Sequence, residues 1–264
     1  MGSSPTPLTS PKNPTIQHIR ELQARPRARR ERRQFVIEGV RLGEEALNSG
    51  YMPHTILYTP DVGTRGETIL EGFRARGVEP IPVSEAAMQA ASDTQTPQGI
   101  LAVLPIQPLP LPPTPTFILL LDTLRDPGNL GTILRTAAAA GVEAIILPPE
   151  TADPYAPKVV RAGMGAHFRL PIHVLGWDEI RSVTAPLQIF LADANGHLAH
   201  TETDFKPPLA LIIGGEAHGA SADIRALHPT PVRIPMPGAT ESLNAAIAAG
   251  ILMFEVVRQR NPQL

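Results

Sequence analysis

The sequence predicts a two-domain α/β protein: a small α/β domain first, then a larger α/β domain whose sheet is mainly parallel. Three observations carry this. Short apolar runs alternate with helix-like segments along nearly the whole chain, the pattern of strands with helices between them. Residues 105–116 (PIQPLPLPPTPT) contain six prolines, which lack an N–H and favour extended backbone, so this stretch reads as a semi-rigid linker. In the second half, three apolar runs each lead through a Gly-, Asn- or Ser-bearing loop into a helix-like segment.

The elements follow in order. Residues 1–13 (MGSSPTPLTSPKN) are rich in Pro, Ser and Thr and predict a disordered tail. A helical stretch over 14–33 is interrupted near Pro26. Strand Gln34–Ile37, helix Val40–Asn48, strand Thr55–Tyr58, helix Glu67–Arg76 closed by Gly77, strand Ile81–Val83, helix Glu85–Ala91 and strand Gly99–Leu104 complete the first domain, 14–104. The second, 117–264, opens on Phe117–Leu121, a short apolar run that suits a strand covered on both faces. Strands are expected at Glu143–Leu147, Phe168–Ile172, Gln188–Ala192, Leu209–Ile213 and Val232–Ile234. Most are separated by helical segments, as parallel strands require.

Composition narrows the chemistry. The chain has no cysteine, which excludes disulfides, thiolate metal sites and cysteine nucleophiles. No apolar run approaches the ~18 residues of a membrane span, and the amino terminus carries no secretory signal. A soluble, cytoplasmic protein is expected. The net charge of −2 conceals an arm: residues 1–34 hold eight basic side chains against Glu21 and Glu31, a local net of +6. Arg27, Arg29, Arg30, Arg32 and Arg33 either form a solvated helical face or meet a polyanion such as RNA, whose phosphates suit the planar guanidinium.

Three segments bear candidate chemistry. The first joins strand Phe117–Leu121 to an Ala-rich helix through Asp126-Pro127-Gly128-Asn129, with Arg135 six residues beyond Asn129. Asn129 either caps that helix or serves a site. Arg135 stands among small and aliphatic residues, where a charge needs a partner or an aqueous cleft. The second places Gly214-Gly215-Glu216-Ala217-His218-Gly219 after an apolar strand, where glycines let a ligand approach backbone amides. It is not G-x-G-x-x-G, so a nicotinamide-dependent oxidoreductase is disfavoured. The third, Ile234-Pro235-Met236-Pro237-Gly238 followed by Glu241-Ser242-Leu243-Asn244, turns from a strand into a long helix. Ser242 reads either as that helix's N-cap or as a site residue, whereas Asn244 lies too far in for a capping role on this reading. Leu243, Ala246, Ile247, Gly250, Ile251 and Phe254 follow helical spacing and are expected mostly in the core.

N-x-G-x-x-x-R, G-x-E-x-x-G and I-P-M-x-G-x-x-x-S-L-N, in this order, resemble the three motifs of the SpoU (TrmH-like) RNA ribose methyltransferases of the SPOUT superfamily. Phe35-Val36-Ile37-Glu38-Gly39 and Thr96-Pro97-Gln98-Gly99-Ile100 look like that family's substrate-binding domain, extending the resemblance over roughly 14–260. Gly215 and Ala217 depart from the family's usual second motif. The resemblance implies a carboxy-terminal segment threading a deep trefoil knot, S-adenosylmethionine as methyl donor, no metal, and a homodimer formed through the carboxy-terminal domain. It implies catalytic roles for Asn129, Arg135, Glu216, Ser242 and Asn244, and donor contacts at Gly214, Gly219, Ile234, Met236 and Leu243. The expected reaction is methyl transfer to a ribose 2′-hydroxyl of structured RNA, with ribosomal RNA favoured over transfer RNA. The rival is an RNA-binding protein of the same fold that has lost catalysis; retention of the five catalytic candidates argues against it.

Overall fold

The computed structural model describes residues 7–214, 220–238, 240–261 and 263. It divides into two compact units, 7–107 with 155–168 and 108–154 with 169–263, within the described residues.

In the first unit a four-stranded sheet has the order β1 (Gln34–Glu38), β4 (Ile100–Pro105), β2 (Thr55–Tyr58), β3 (Ile81–Pro82). β4 is antiparallel to both neighbours, while β2 and β3 are parallel. Successive strand side chains point to opposite faces, and both faces are covered. Phe35, Ile37 and Ile56 pack with Leu42, Ile69 and Phe73 of helices α3 (Val40–Asn48) and α4 (Gly63–Arg74). Val36, Leu57 and Leu101 pack on the other face with α1 (Pro14–Ala24) and α5 (Glu85–Ala91), through Ile16, Ile19 and Met88. Pro26, where the helix was expected to break, starts the separate helix α2 (Pro26–Arg32). Leu8, expected in a disordered tail, instead forms a parallel bridge with Val83.

Residues 155–168, expected in the second domain, pack in this first unit. Helix α7 (Pro157–Gly163) and a short 3₁₀ turn carry Val160 and Phe168 into the same buried cluster as Phe35, with Tyr155 5.1 Å from the Phe35 ring. The strand expected at Phe168–Ile172 therefore fails at its start. Phe168 ends the 3₁₀ turn, and the strand, β7, runs over Ile172–Val174.

The second unit holds a seven-stranded sheet of order β7, β6 (Ala144–Leu147), β5 (Phe117–Leu121), β10 (Leu209–Ile213), β8 (Gln188–Ala192), β11 (Thr230–Arg233), β9 (Leu198–Ala199). Every neighbouring pair is parallel. β5 and β10, at the centre, are buried along their whole length, which their uninterrupted apolar sequences require. From β5 the chain steps outward to β6 and β7, then returns to the opposite side. Strand order thus reverses beside β5 and β10, where the carboxyl ends of α/β sheets open a crevice. Helix α6 (Pro127–Ala139) follows β5, and α10 (Ala245–Arg260) packs against it. A Cβ built on Gly250 would lie 3.7 Å from the Thr136 methyl, an ordinary van der Waals contact.

α10 is less uniformly buried than its helical spacing suggested. Ala246, Ala249, Leu252, Met253 and Val256 are buried, but Ile247, Ile251 and Phe254 are 55%, 37% and 48% exposed. Spacing identifies an apolar face, but it does not say whether the same chain covers it.

Candidate active site

The carboxyl ends of β10, β8 and β11 and the approach to α10 enclose a cavity of about 350 Å³. Register aligns these ends: Leu191 lies beside Ile212, and Ala192 beside Val232. β10 delivers Gly214, and the segments after β11 deliver Ile234, Met236, Ser242 and Leu243 to the lining. Among the described residues, no atom lies within 4 Å of a Cβ built on Gly214.

Two helix starts meet nearby. Asp126 is the N-cap of α6, its Oδ1 accepting the Asn129 amide at 2.7 Å, with Pro127 in the first turn. Asn129 is thus not the cap, and its Oδ1 accepts from Asn244 Nδ2 at 3.0 Å. Asn244 is the N-cap of α10, accepting the amides of Ala246 at 2.9 Å and Ile247 at 3.3 Å. This corrects the expectation that Asn244 lies inside the helix with Ser242 at its start: α10 begins at Ala245. Leu243, just before the cap, is 36% exposed on the cavity lining.

Arg135 lies on α6 beyond Asn129 and is exposed. Of the two expected alternatives, a partner or water, exposure leaves it to water: among the described residues no hydrogen bond or ion pair engages it. Glu216 and Gly219 lie outside the described residues. Asp122, directly after β5, is fully buried; its Oδ2 accepts the Ser221 amide at 3.1 Å, and its Oδ1 has no partner among the described residues.

Sequence reasoning missed Asp193 and Asn195, which also line the cavity. Their signal was present: Asp-Ala-Asn-Gly follows the apolar strand Gln188–Ala192, the same strand-to-turn pattern as the three motifs.

The basic arm is less free than its charge count suggested. Arg29 is 3% exposed and donates to the carbonyls of Leu22 at 2.5 Å and Gln23 at 3.0 Å, closing the end of α1. Burial corrects its expected role at an RNA surface. Arg27 pairs with Glu31 at 2.6 Å, and Arg32 with Glu21 at 2.6 Å and with His18. Arg33 donates to the Ile106 carbonyl at 3.1 Å, while Arg30 is exposed with no hydrogen-bond or ion-pair partner among the described residues.

A family model described as the SpoU rRNA methylase family matches residues 116–254, more than half of the chain. The chain belongs to the SpoU rRNA methylase family. A second model, an MRM3-like substrate binding domain, matches residues 13–102. Among SpoU relatives, a 23S rRNA guanosine 2′-O-methyltransferase of Bacillus subtilis is 32% identical, over 94% of this chain and 98% of its own. An AdoMet-bound rRNA methyltransferase from Sinorhizobium meliloti superposes with a TM-score of 0.86 at 33% identity, covering 98% of each chain. The SpoU methyltransferase AviRb from Streptomyces viridochromogenes, in complex with AdoMet, superposes at 0.83 and 30% identity, over 95% of this chain and 100% of that one.

Proposed function

We propose that this SpoU-family chain transfers a methyl group from S-adenosylmethionine to a ribose 2′-hydroxyl of ribosomal RNA. One observation carries the reading: residues of the second and third motifs line one cavity, and the Asn129–Asn244 hydrogen bond ties the first motif to its edge. The names of full-length SpoU relatives, among them the B. subtilis 23S rRNA enzyme, support the substrate class.

The cavity fits an adenosyl donor. Ile213, Val232, Ile234, Leu243 and Leu252 supply apolar walls for a purine, and Gly214, which has no side chain, lets a ligand approach the backbone. When bound, the donor supplies an electrophilic methyl carbon on a sulfonium. The chain's residues then hold acceptor and donor in line and take the hydroxyl proton. We assign positioning at the reacting centre to Asn129 and Asn244, and proton relay to Ser242 or Glu216. Arg135 stabilises the developing alkoxide or the neighbouring phosphate by its charge. Gly214, Gly219, Ile234, Met236 and Leu243 contact the donor. Among the described residues no group of three or more His, Cys, Asp or Glu is placed to hold a metal ion, and none of these roles calls for one.

The exposed arginines of α2 and its carboxyl end, Arg27, Arg30, Arg32 and Arg33, are assigned to RNA phosphates. A homodimer through α10 belongs to the same reading: Ile247, Ile251 and Phe254 form an exposed apolar stripe that a second copy would cover. No described helix is long and apolar enough to cross a membrane, and a cytoplasmic setting completes the proposal. Incubating the chain with methyl-labelled donor and total RNA, then mapping the modified nucleotide, tests it. A single labelled ribose in ribosomal RNA is expected. Label in transfer RNA alone redirects the substrate, and RNA binding without label returns the inactive RNA-binding rival.

A further inference from the structure

Among the described residues lining the donor cavity, Asp193 is the one ionisable side chain. It directly follows β8, as Gly214 directly follows β10, and these strands are parallel neighbours. A carboxylate and a glycine thus leave adjacent strands on the same edge of the sheet. Where an α/β sheet binds a dinucleotide, an acid near a glycine turn takes the ribose hydroxyls. An adenosyl ligand carries the same vicinal diol, and a carboxylate oxygen accepts from O–H without needing a proton of its own.

The turn around Asp193 is fixed. Its amide donates to the Val232 carbonyl at 2.9 Å, its carbonyl accepts the Gly196 amide at 3.0 Å, and its Oδ1 accepts the Asn195 amide at 2.8 Å. Gly196 is pressed against β11: a Cβ there would stand 2.9 Å from the Arg233 nitrogen. One carboxylate oxygen is therefore committed to orienting the side chain. The other has no hydrogen-bond partner among the described residues.

We propose that Asp193 is a donor-binding residue whose second carboxylate oxygen accepts from the ribose 2′- and 3′-hydroxyls of the adenosyl group. The inference rests on the function proposed above and adds a residue outside the three motifs. Asp193→Asn is the informative variant. Its amide oxygen can still accept from Asn195, while the free oxygen becomes an N–H₂ that accepts nothing. Calorimetry on the full chain would compare S-adenosylhomocysteine, its 2′,3′-dideoxy analogue and methylthioadenosine, which lacks the amino-acid end. Asp193→Asn should weaken S-adenosylhomocysteine and methylthioadenosine by a similar factor, about 10- to 100-fold. The dideoxy analogue should bind wild type and variant alike. An equal loss with the dideoxy analogue would overturn the proposal, because Asp193 would then act through the shape of its turn. Undiminished binding of methylthioadenosine would also overturn it, moving the carboxylate to the ligand's ammonium. A wild-type chain that binds none of the three probes fails at the proposed function itself, and this assignment falls with it.

Discussion

Asn244 and Asn129 stand 115 residues apart in sequence and share a hydrogen bond of 3.0 Å, Nδ2 to Oδ1. The contact exists because both residues sit where helices begin. Asn129 lies in the first turn of α6, its amide held by Asp126, and Asn244 caps α10, which packs on α6. Asn244 thus has two tasks, since its Oδ1 caps the helix while its Nδ2 reaches the first motif. Substitution can divide them.

Asn244→Asp should keep the cap, because Asp caps helices about as well as Asn. It would also replace the N–H₂ facing Asn129 with an oxygen. We expect a melting temperature close to wild type and methyl transfer slowed by about 10-fold or more, the effect of losing one hydrogen bond at a reacting centre. Asn244→Ala should lose the cap too, at about 1 kcal/mol of stability. Thermal melts and single-turnover transfer measured on both variants separate the roles. Undiminished transfer by Asn244→Asp would reduce Asn244 to a cap.

The central strands were legible because their chemistry is local. Phe117–Leu121, Gln188–Ala192 and Leu209–Ile213 are short apolar runs between turn residues, and the structure has strands over those spans. In sequence Asn244 reads as lying inside the helix because Ser242 also suits the cap. The polar residues Glu241, Ser242 and Asn244 fit several registers, and only the hydrogen bonds to Ala246 and Ile247 fix one. Phe168 reads as the start of a strand because of its apolar neighbours, whereas tertiary packing takes it into a different core cluster. Arg29 resembled its neighbours in sequence, and only the geometry of two Leu22 and Gln23 carbonyls distinguishes it. Lone-residue roles set by distant partners leave little trace in a pattern.

The exposed stripe on α10 gives a second prediction. Ile247, Ile251 and Phe254 lie on one helical face, and a second copy docked there would remove this apolar surface from water. Ile247→Asp puts a charge at the most exposed of the three, where dimerisation would have to desolvate it. Sedimentation should show wild type as a dimer and Ile247→Asp as a monomer at micromolar concentration, with far-ultraviolet circular dichroism unchanged. A wild-type monomer, or a variant that dimerises as well as wild type, would remove this face from the assembly.

The arm predicts a contrast between neighbouring arginines. Arg29→Ala breaks a buried guanidinium's bonds to the Leu22 and Gln23 carbonyls, so it should lower stability by about 1.5–3 kcal/mol. Arg30→Ala removes an exposed charge and should leave the melting temperature unchanged while weakening RNA binding. Each phosphate contact contributes a slope of about −0.7 to −0.9 to log affinity against log salt. Loss of Arg30 should therefore flatten the measured slope by up to about one. An RNA titration over salt that gives parallel lines for wild type and Arg30→Ala would make the arm a solvated helical face.

Arg135 carries the last prediction. It lies on α6, the helix that opens with Asp126 and Asn129, and its side chain is exposed with no described partner. A guanidinium so placed can meet an RNA phosphate or the reacting oxygen without first breaking an ion pair. Arg135→Ala should leave melting temperature and S-adenosylhomocysteine affinity unchanged, because Arg135 does not line the donor cavity. Methyl transfer should fall by about 100-fold, the usual consequence of losing one preorganised electrostatic group. Arg135→Lys should recover little, since an ammonium keeps the charge but cannot reproduce two-pronged contact with phosphate. A structural role, such as an ion pair to a second copy, predicts the opposite pattern: Arg135→Ala would dimerise poorly or melt early, and each folded dimer would turn over normally. Single-turnover methylation measured beside melting and sedimentation decides between them. A stable dimer of Arg135→Ala with undiminished turnover would take Arg135 out of the active site.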